Sequence, residues 1–115
     1  MANSSELEQF GIYLAKVYFE DVPDIYKVRP VLIIDAKGSL ALVLKMTSSI
    51  TQQRVPAYKL ENWQQYGLNV PTTVLLSPMI ALRGSDIYSE RLLGILGDED
   101  TCNVLDRLVE LRNDQ

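Results

Sequence analysis

The chain contains no histidine and a single cysteine, Cys102. Without imidazole, the commonest general base and metal ligand are missing, and every Ser-His or Cys-His arrangement is excluded. One thiol likewise excludes an internal disulfide and a cysteine zinc site. Any chemistry therefore falls to Arg, Lys, carboxylates, Tyr or hydroxyls. Long apolar runs are also missing: Val31 to Ile34 and Leu40 to Leu44 are strand-sized, far short of a bilayer crossing. The opening residues Met1-Ala2-Asn3-Ser4-Ser5-Glu6 carry neither the positive nor the apolar region of a signal peptide, so the default expectation is cytoplasmic residence with no membrane. Outside the C-terminal segment the only tight carboxylate cluster is Glu20, Asp21 and Asp24, which matches no metal-loop spacing. No metal and no cofactor are expected.

What is present is an ordinary globular composition, 47% hydrophobic and 23% charged over 115 residues, enough for one core. We expect one domain over 1–115, with residues 1–10 peripheral. The net charge of −4 conceals an asymmetry. Residues 90–115 hold seven carboxylates against three arginines, which leaves the first 89 residues neutral. Within these, residues 25–60 set Lys27, Arg29, Lys37, Lys45, Arg54 and Lys59 against Asp35 alone. Such a segment is either a set of solvated strand charges or, if folding gathers it on one surface, a phosphate-binding patch.

Alternation predicts a strand over Gly11 to Phe19, followed by a loop from Glu20 to Ile25 broken by Pro23. Val28 to Asp35 and Leu40 to Thr47 read as central strands, and their near-continuous Val, Ile and Leu content predicts burial on both faces. Joined by a turn at Lys37-Gly38, they run antiparallel, so Arg29 at the start of one meets Thr47 at the end of the other. That edge is a candidate anion-handling site. Ser49 to Arg54 reads as a polar loop and Val55 to Lys59 as a short strand. Leu60 to Tyr66 reads as a turn or two of helix halted by Gly67. Strands are expected over Thr72 to Leu76, Met79 to Leu82 after a bend at Pro78, and Arg91 to Leu96. Gly97 releases the chain into a helix with Asp98 as N-cap and Cys102, Leu105, Leu108, Val109 and Leu111 as its core-facing stripe. Cys102 on that stripe is expected to be a small buried hydrophobe. The pattern predicts a mostly β fold with α, a small, strongly curved SH3-like barrel ending in a helix.

Several segments, in order and at their spacing, carry a resemblance. They are Lys27-Val28-Arg29-Pro30-Val31-Leu32-Ile33, Lys45-Met46-Thr47-Ser48, Gly67-Leu68 with Pro71 before a hydrophobic strand, and Leu93-Gly94-Ile95-Leu96-Gly97-Asp98-Glu99-Asp100. From about Gly11 to Leu111 the chain resembles the MazF/PemK family of toxin endoribonucleases of bacterial type II toxin-antitoxin systems. The resemblance implies a cytoplasmic homodimer that cleaves single-stranded RNA without metal, the ribose 2′-OH attacking the scissile phosphate, with an antitoxin peptide as partner. It places Arg29 at that phosphate and Thr47 beside it as hydroxyl donor, the two expected catalytic residues. Ser48, Lys27 and Arg83 are the expected substrate-binding residues. Where many members carry a second arginine, this chain aligns Ile80, and Arg83 follows three residues later.

Other readings stay open. Arg29 can instead pair with Asp21, Asp24 or Asp35, and Thr47-Ser48-Ser49 can be an ordinary strand end whose hydroxyls bond local backbone. A carboxylate of the Glu20 to Ile25 loop can serve as base or merely decorate a surface turn. The alternative function is a catalytically weak or inactive barrel of the same kind that binds nucleic acid or protein, with Tyr58, Trp63 and Tyr66 as stacking or interface aromatics.

Overall fold

The structure, a computed structural model, describes residues 7–19, 21–22, 24–48 and 56–113. The loop expected over Ser49 to Arg54, together with Glu20, Pro23 and Val55, lies outside them.

The strands form where β-branched and aliphatic residues alternate or run together. They are β1 (Gly11–Tyr18), β2 (Tyr26–Lys37), β3 (Leu40–Thr47), β4 (Ala57–Lys59), β5 (Thr73–Leu75), β6 (Ile80–Arg83) and β7 (Ile87–Ile95). A single helix follows, α1 (Asp98–Asn113). All pairings are antiparallel, in the order β4-β5-β3-β2-β1-β7 with β6 also on β3. Along its outer edge β3 changes neighbour: Leu40 to Val43 face β6, whereas Met46 and Thr47 face β5. The ladder does not close on itself among the described residues. No helix among them is long and apolar enough to cross a membrane.

The central hairpin shows how the sequence sets register. Lys37 pairs with Leu40, so the turn is Gly38-Ser39, one residue later than expected, and the positive φ of 63° at Gly38 suits a glycine. From that turn Asp35 falls opposite Leu42, yet Ile33 falls opposite Val43, so Ile34 is an extra residue, a β-bulge. A bulge shifts everything beyond it by one position. Past it, Val31 faces Lys45, and the same register carried on brings Arg29 level with Thr47 rather than Ser48.

The expected burial on both faces is observed. One core cluster holds Tyr13, Ala15, Val17, Val31, Ile33, Val43, Leu82 and Ile87. A second, on the opposite face, holds Ile12, Leu32, Leu44, Met46, Leu60, Val74 and Val104, and α1 covers it. Ahead of β1, Leu7 packs into the first cluster, and the Phe10 N–H donates to the Ile33 carbonyl at 2.6 Å.

Three expectations need correction. β7 begins at Ile87, four residues before Arg91, because the buried Ile87 anchors the polar stretch that follows it. Asp98 lies inside the first helical turn rather than capping it, since the Gly97 carbonyl accepts the first helical bond, from the Thr101 N–H at 2.8 Å. The core-facing stripe of α1 is Val104, Leu108 and Leu111. Cys102, Leu105 and Val109 point away; Val109 is 56% exposed against 0% for Val104, and Cys102 is an exposed free thiol.

Two close approaches lock the segment around Gly67 against β7. Trp63–Tyr66 forms a 3-10 turn ended by Gly67 at φ 70°, and a Cβ there would lie 2.8 Å from the Leu93 carbonyl oxygen. Gly94 in turn meets the backbone of Tyr66, where a Cβ would come within 3.0 Å. These glycines let the 3-10 turn lie against β7 backbone to backbone.

Candidate functional site

On β2 and β3, residues of one parity enter the first core cluster as Val31, Ile33 and Val43. Toward the end away from the turn, the same parity brings Arg29 on β2 and Lys45 and Thr47 on β3. The apolar face thus becomes a polar one at its rim. Pro30 holds Arg29 in extended backbone, and Arg29 pairs with Ala15 of β1. Thr47 pairs with Thr73 of β5. Both positions are therefore fixed by ladders rather than by loops.

Arg29 and Thr47 line one open cavity of about 340 Å³ together with Lys27, Ser48, Met46 and the Leu68–Val70 segment. They also line a neighbouring cavity of about 230 Å³ with Tyr18, Phe19 and Lys45. Both residues are half-buried, so each is held in place while still reaching solvent. A guanidinium offers a planar fork of donors, while a threonine hydroxyl adds a neutral donor. Four of the five expected residues, Lys27, Arg29, Thr47 and Ser48, thus surround one cavity.

Arg83 is not among them. It lines a third cavity of about 310 Å³ with Val17, Tyr18, Lys45, Ile80 and Asp86. Ile80, aligned where many members of the resembled family carry arginine, lies opposite Val43 and packs on the first core cluster. Asp21 and Asp24 are exposed and line neither cavity that contains Arg29. Among the described residues no ion pair ties Arg29 to Asp21, Asp24 or Asp35. Ser49, the last hydroxyl of the expected cluster, lies outside the described residues.

Sequence reasoning gave Lys45 no role, although its two-residue spacing from Thr47 puts both on one strand face. Nor did it single out the aromatic pair Tyr18 and Tyr26, whose rings lie 5.3 Å apart where β1 and β2 join. Lys16 lies 5.1 Å over the Tyr26 ring and Lys27 6.0 Å over that of Phe19, so cations and exposed aromatics interleave beside the site.

A larger cavity, about 550 Å³, lies elsewhere, between the 3-10 turn and α1. Several of its polar groups bond one another. Tyr58 Oη donates to one carboxylate oxygen of Asp100 at 2.6 Å and Tyr66 Oη to the other at 2.5 Å. Asn103 Nδ2 donates to Tyr58 Oη and the Gly97 N–H to Tyr66 Oη. Burial, and then the bond to Asp100, raise both phenols above their ordinary value. With Tyr66 only 3% exposed, its ring is core rather than a stacking face. Trp63 packs half-buried on the second cluster.

No family model matches this chain, and no curated protein matches it either.

Proposed function

We propose that this chain is a metal-independent endoribonuclease toxin of the MazF/PemK kind, built on that family's SH3-like barrel. The observation that carries the reading is that Arg29 and Thr47 line one open cavity, in a molecule without histidine.

In the proposed reaction the 2′-OH loses its proton to a base as its oxygen bonds to the adjacent phosphorus. The P–O5′ bond then breaks, and the departing 5′ oxygen takes a proton. The products are a 2′,3′-cyclic phosphate and a 5′-OH. Charge accumulates on the non-bridging oxygens in the transition state, which is where a fixed guanidinium and hydroxyl help most. Arg29 grips those oxygens, Thr47 adds a hydrogen bond, Ser48 can add a second, and Lys27 draws in the strand. The protein would act in the cytoplasm as a homodimer. An acidic antitoxin peptide would cover the same cationic rim, as disordered acidic segments do when they fold on a basic surface.

A second reading, a barrel that binds RNA without cutting it, is favoured by Ile80, an apolar residue packed on the first core cluster where many members of the resembled family carry a second arginine. Product-end analysis decides between them. Single-stranded RNA incubated with the protein in excess chelator should yield cyclic-phosphate ends, and one 2′-deoxy substitution at the cut site should block that cut. Cleavage that persists through the 2′-deoxy position rejects the mechanism, and retention of intact RNA favours the binding module.

A further inference from the structure

The three cavities on this side of the molecule adjoin. The first and second share Arg29, Met46 and Thr47, and the second and third share Val17, Tyr18 and Lys45. Together they trace a groove from Lys27 and Ser48, past Arg29 and Thr47, then past Tyr18 and Lys45, to Arg83, beside Met46 and Leu68 of the second core cluster at one end and Val17 and Leu82 of the first at the other.

Its lining suits a single-stranded polyanion. Cations recur along it, as a phosphate backbone requires, and an aromatic ring stands between them, as an unpaired base requires. Lys45 lies two residues before Thr47 on the same strand face, about 7 Å along the strand. That is roughly one nucleotide step from the phosphate at Arg29. Tyr18 is 41% exposed and lines both the second and third cavities, so it flanks that step. Arg83 is exposed and stands at the far end beside Asp86, the one carboxylate among the described residues on the third cavity's wall.

We propose that this groove is a flanking-nucleotide subsite: the strand whose phosphate lies at Arg29 continues across it, its next phosphate held by Lys45 and Arg83 and a base stacked on Tyr18. The subsite rests on the RNA reading above and adds to it a set of residues outside the reacting centre. It explains how Arg83 serves the substrate without sharing a cavity with Arg29. Asp86 opposes the phosphate, so it limits affinity at that end.

The test is equilibrium binding of the full chain to a fluorescein-labelled 2′-O-methyl oligoribonucleotide of mixed sequence, which 2′-OH attack cannot cut, across a series of salt concentrations. For the wild type, log Kd should rise linearly with log salt. Lys45→Gln and Arg83→Gln should each weaken binding several-fold at low salt and lower that slope by about 0.7, the value of one phosphate contact on a single strand. Tyr18→Ala should weaken binding with the slope unchanged, because stacking releases no counterion, and Asp86→Asn should tighten it. All four side chains are at least partly exposed, so the variants are expected to fold, and matched thermal melts verify this. If the wild type binds while Lys45→Gln and Arg83→Gln keep its affinity and slope, the subsite is refuted and the RNA reading stands. If the wild type neither binds this oligonucleotide nor cuts RNA, the RNA reading itself fails. Capture of a poly-glutamate peptide through Lys45 and Arg83 in preference to the oligonucleotide overturns the subsite in favour of a protein partner.

Discussion

Replacing Tyr66 by Phe tests how α1 is held to the rest of the chain. The substitution keeps the ring in the second core cluster and removes only the hydroxyl, which donates to Asp100 and accepts from the Gly97 N–H. A hydrogen bond to a charged partner contributes about 1.5–3 kcal/mol, and the Gly97 N–H, in an exposed residue, can turn to water. We therefore expect Tyr66→Phe to cost about 2 kcal/mol, or roughly 8 °C in Tm for a domain of this size. Tyr58 is half-buried, and its bond to Asp100 is correspondingly weaker; Tyr58→Phe should cost about 1 kcal/mol. Because both phenols share one carboxylate, Tyr66→Phe should cost measurably less in an Asp100→Asn background. The clamp also has a pH signature. Both phenols titrate above 10.0 in the folded chain, first because burial disfavours the phenolate and then because Asp100 accepts from the protonated oxygen. With the folded value above the unfolded one, the contribution is complete below the unfolded value and is lost as pH rises through the folded value. In urea melts the advantage of wild type over Tyr58→Phe/Tyr66→Phe should be whole at about pH 8 and shrink as pH rises into the alkaline range where the phenols ionise. Equal stability at pH 8, or parallel pH profiles, would refute the clamp.

The remaining predictions probe packing. Gly67→Ala forces a side chain into left-handed backbone and against the Leu93 carbonyl, and should cost about 1–3 kcal/mol by denaturant titration. Val104→Ala should cost about 2 kcal/mol, whereas Val109→Ala on the exposed flank of α1 should change stability by under about 0.5 kcal/mol. Cys102 should react with a thiol reagent in the native protein as fast as in urea-unfolded chain; protection of the native thiol would contradict its placement on the outer face.

The central hairpin was legible because its signals agree: apolar runs bounded by a glycine turn specify β2 and β3, and antiparallel pairing brings their polar ends together. The bulge at Ile34 was not legible, since nothing in Ile33-Ile34-Asp35 marks which residue is extra, yet it is what levels Arg29 with Thr47 instead of Ser48. The face of α1 was misread for a related reason. Of the expected stripe Leu108 and Leu111 do pack inward, but Val104 completes that face in place of Cys102, Leu105 and Val109, and only tertiary packing chooses between these apolar positions. The Tyr58 and Tyr66 bonds to Asp100 span 42 and 34 residues, beyond the reach of local pattern. Lys45 was visible as charge, but its place on the groove required knowing that β1 and β6 flank the same rim.

In the proposed reaction Arg29 stabilises the phosphodiester as it is cut, and single-turnover cleavage of one RNA in excess chelator by the wild type and by Arg29→Ala measures that role. The wild type should cut, and the variant should lose about 100–1,000-fold in rate with RNA affinity much less changed, as when one fixed donor is removed from a transition state. Equal rates for the two proteins would contradict that role.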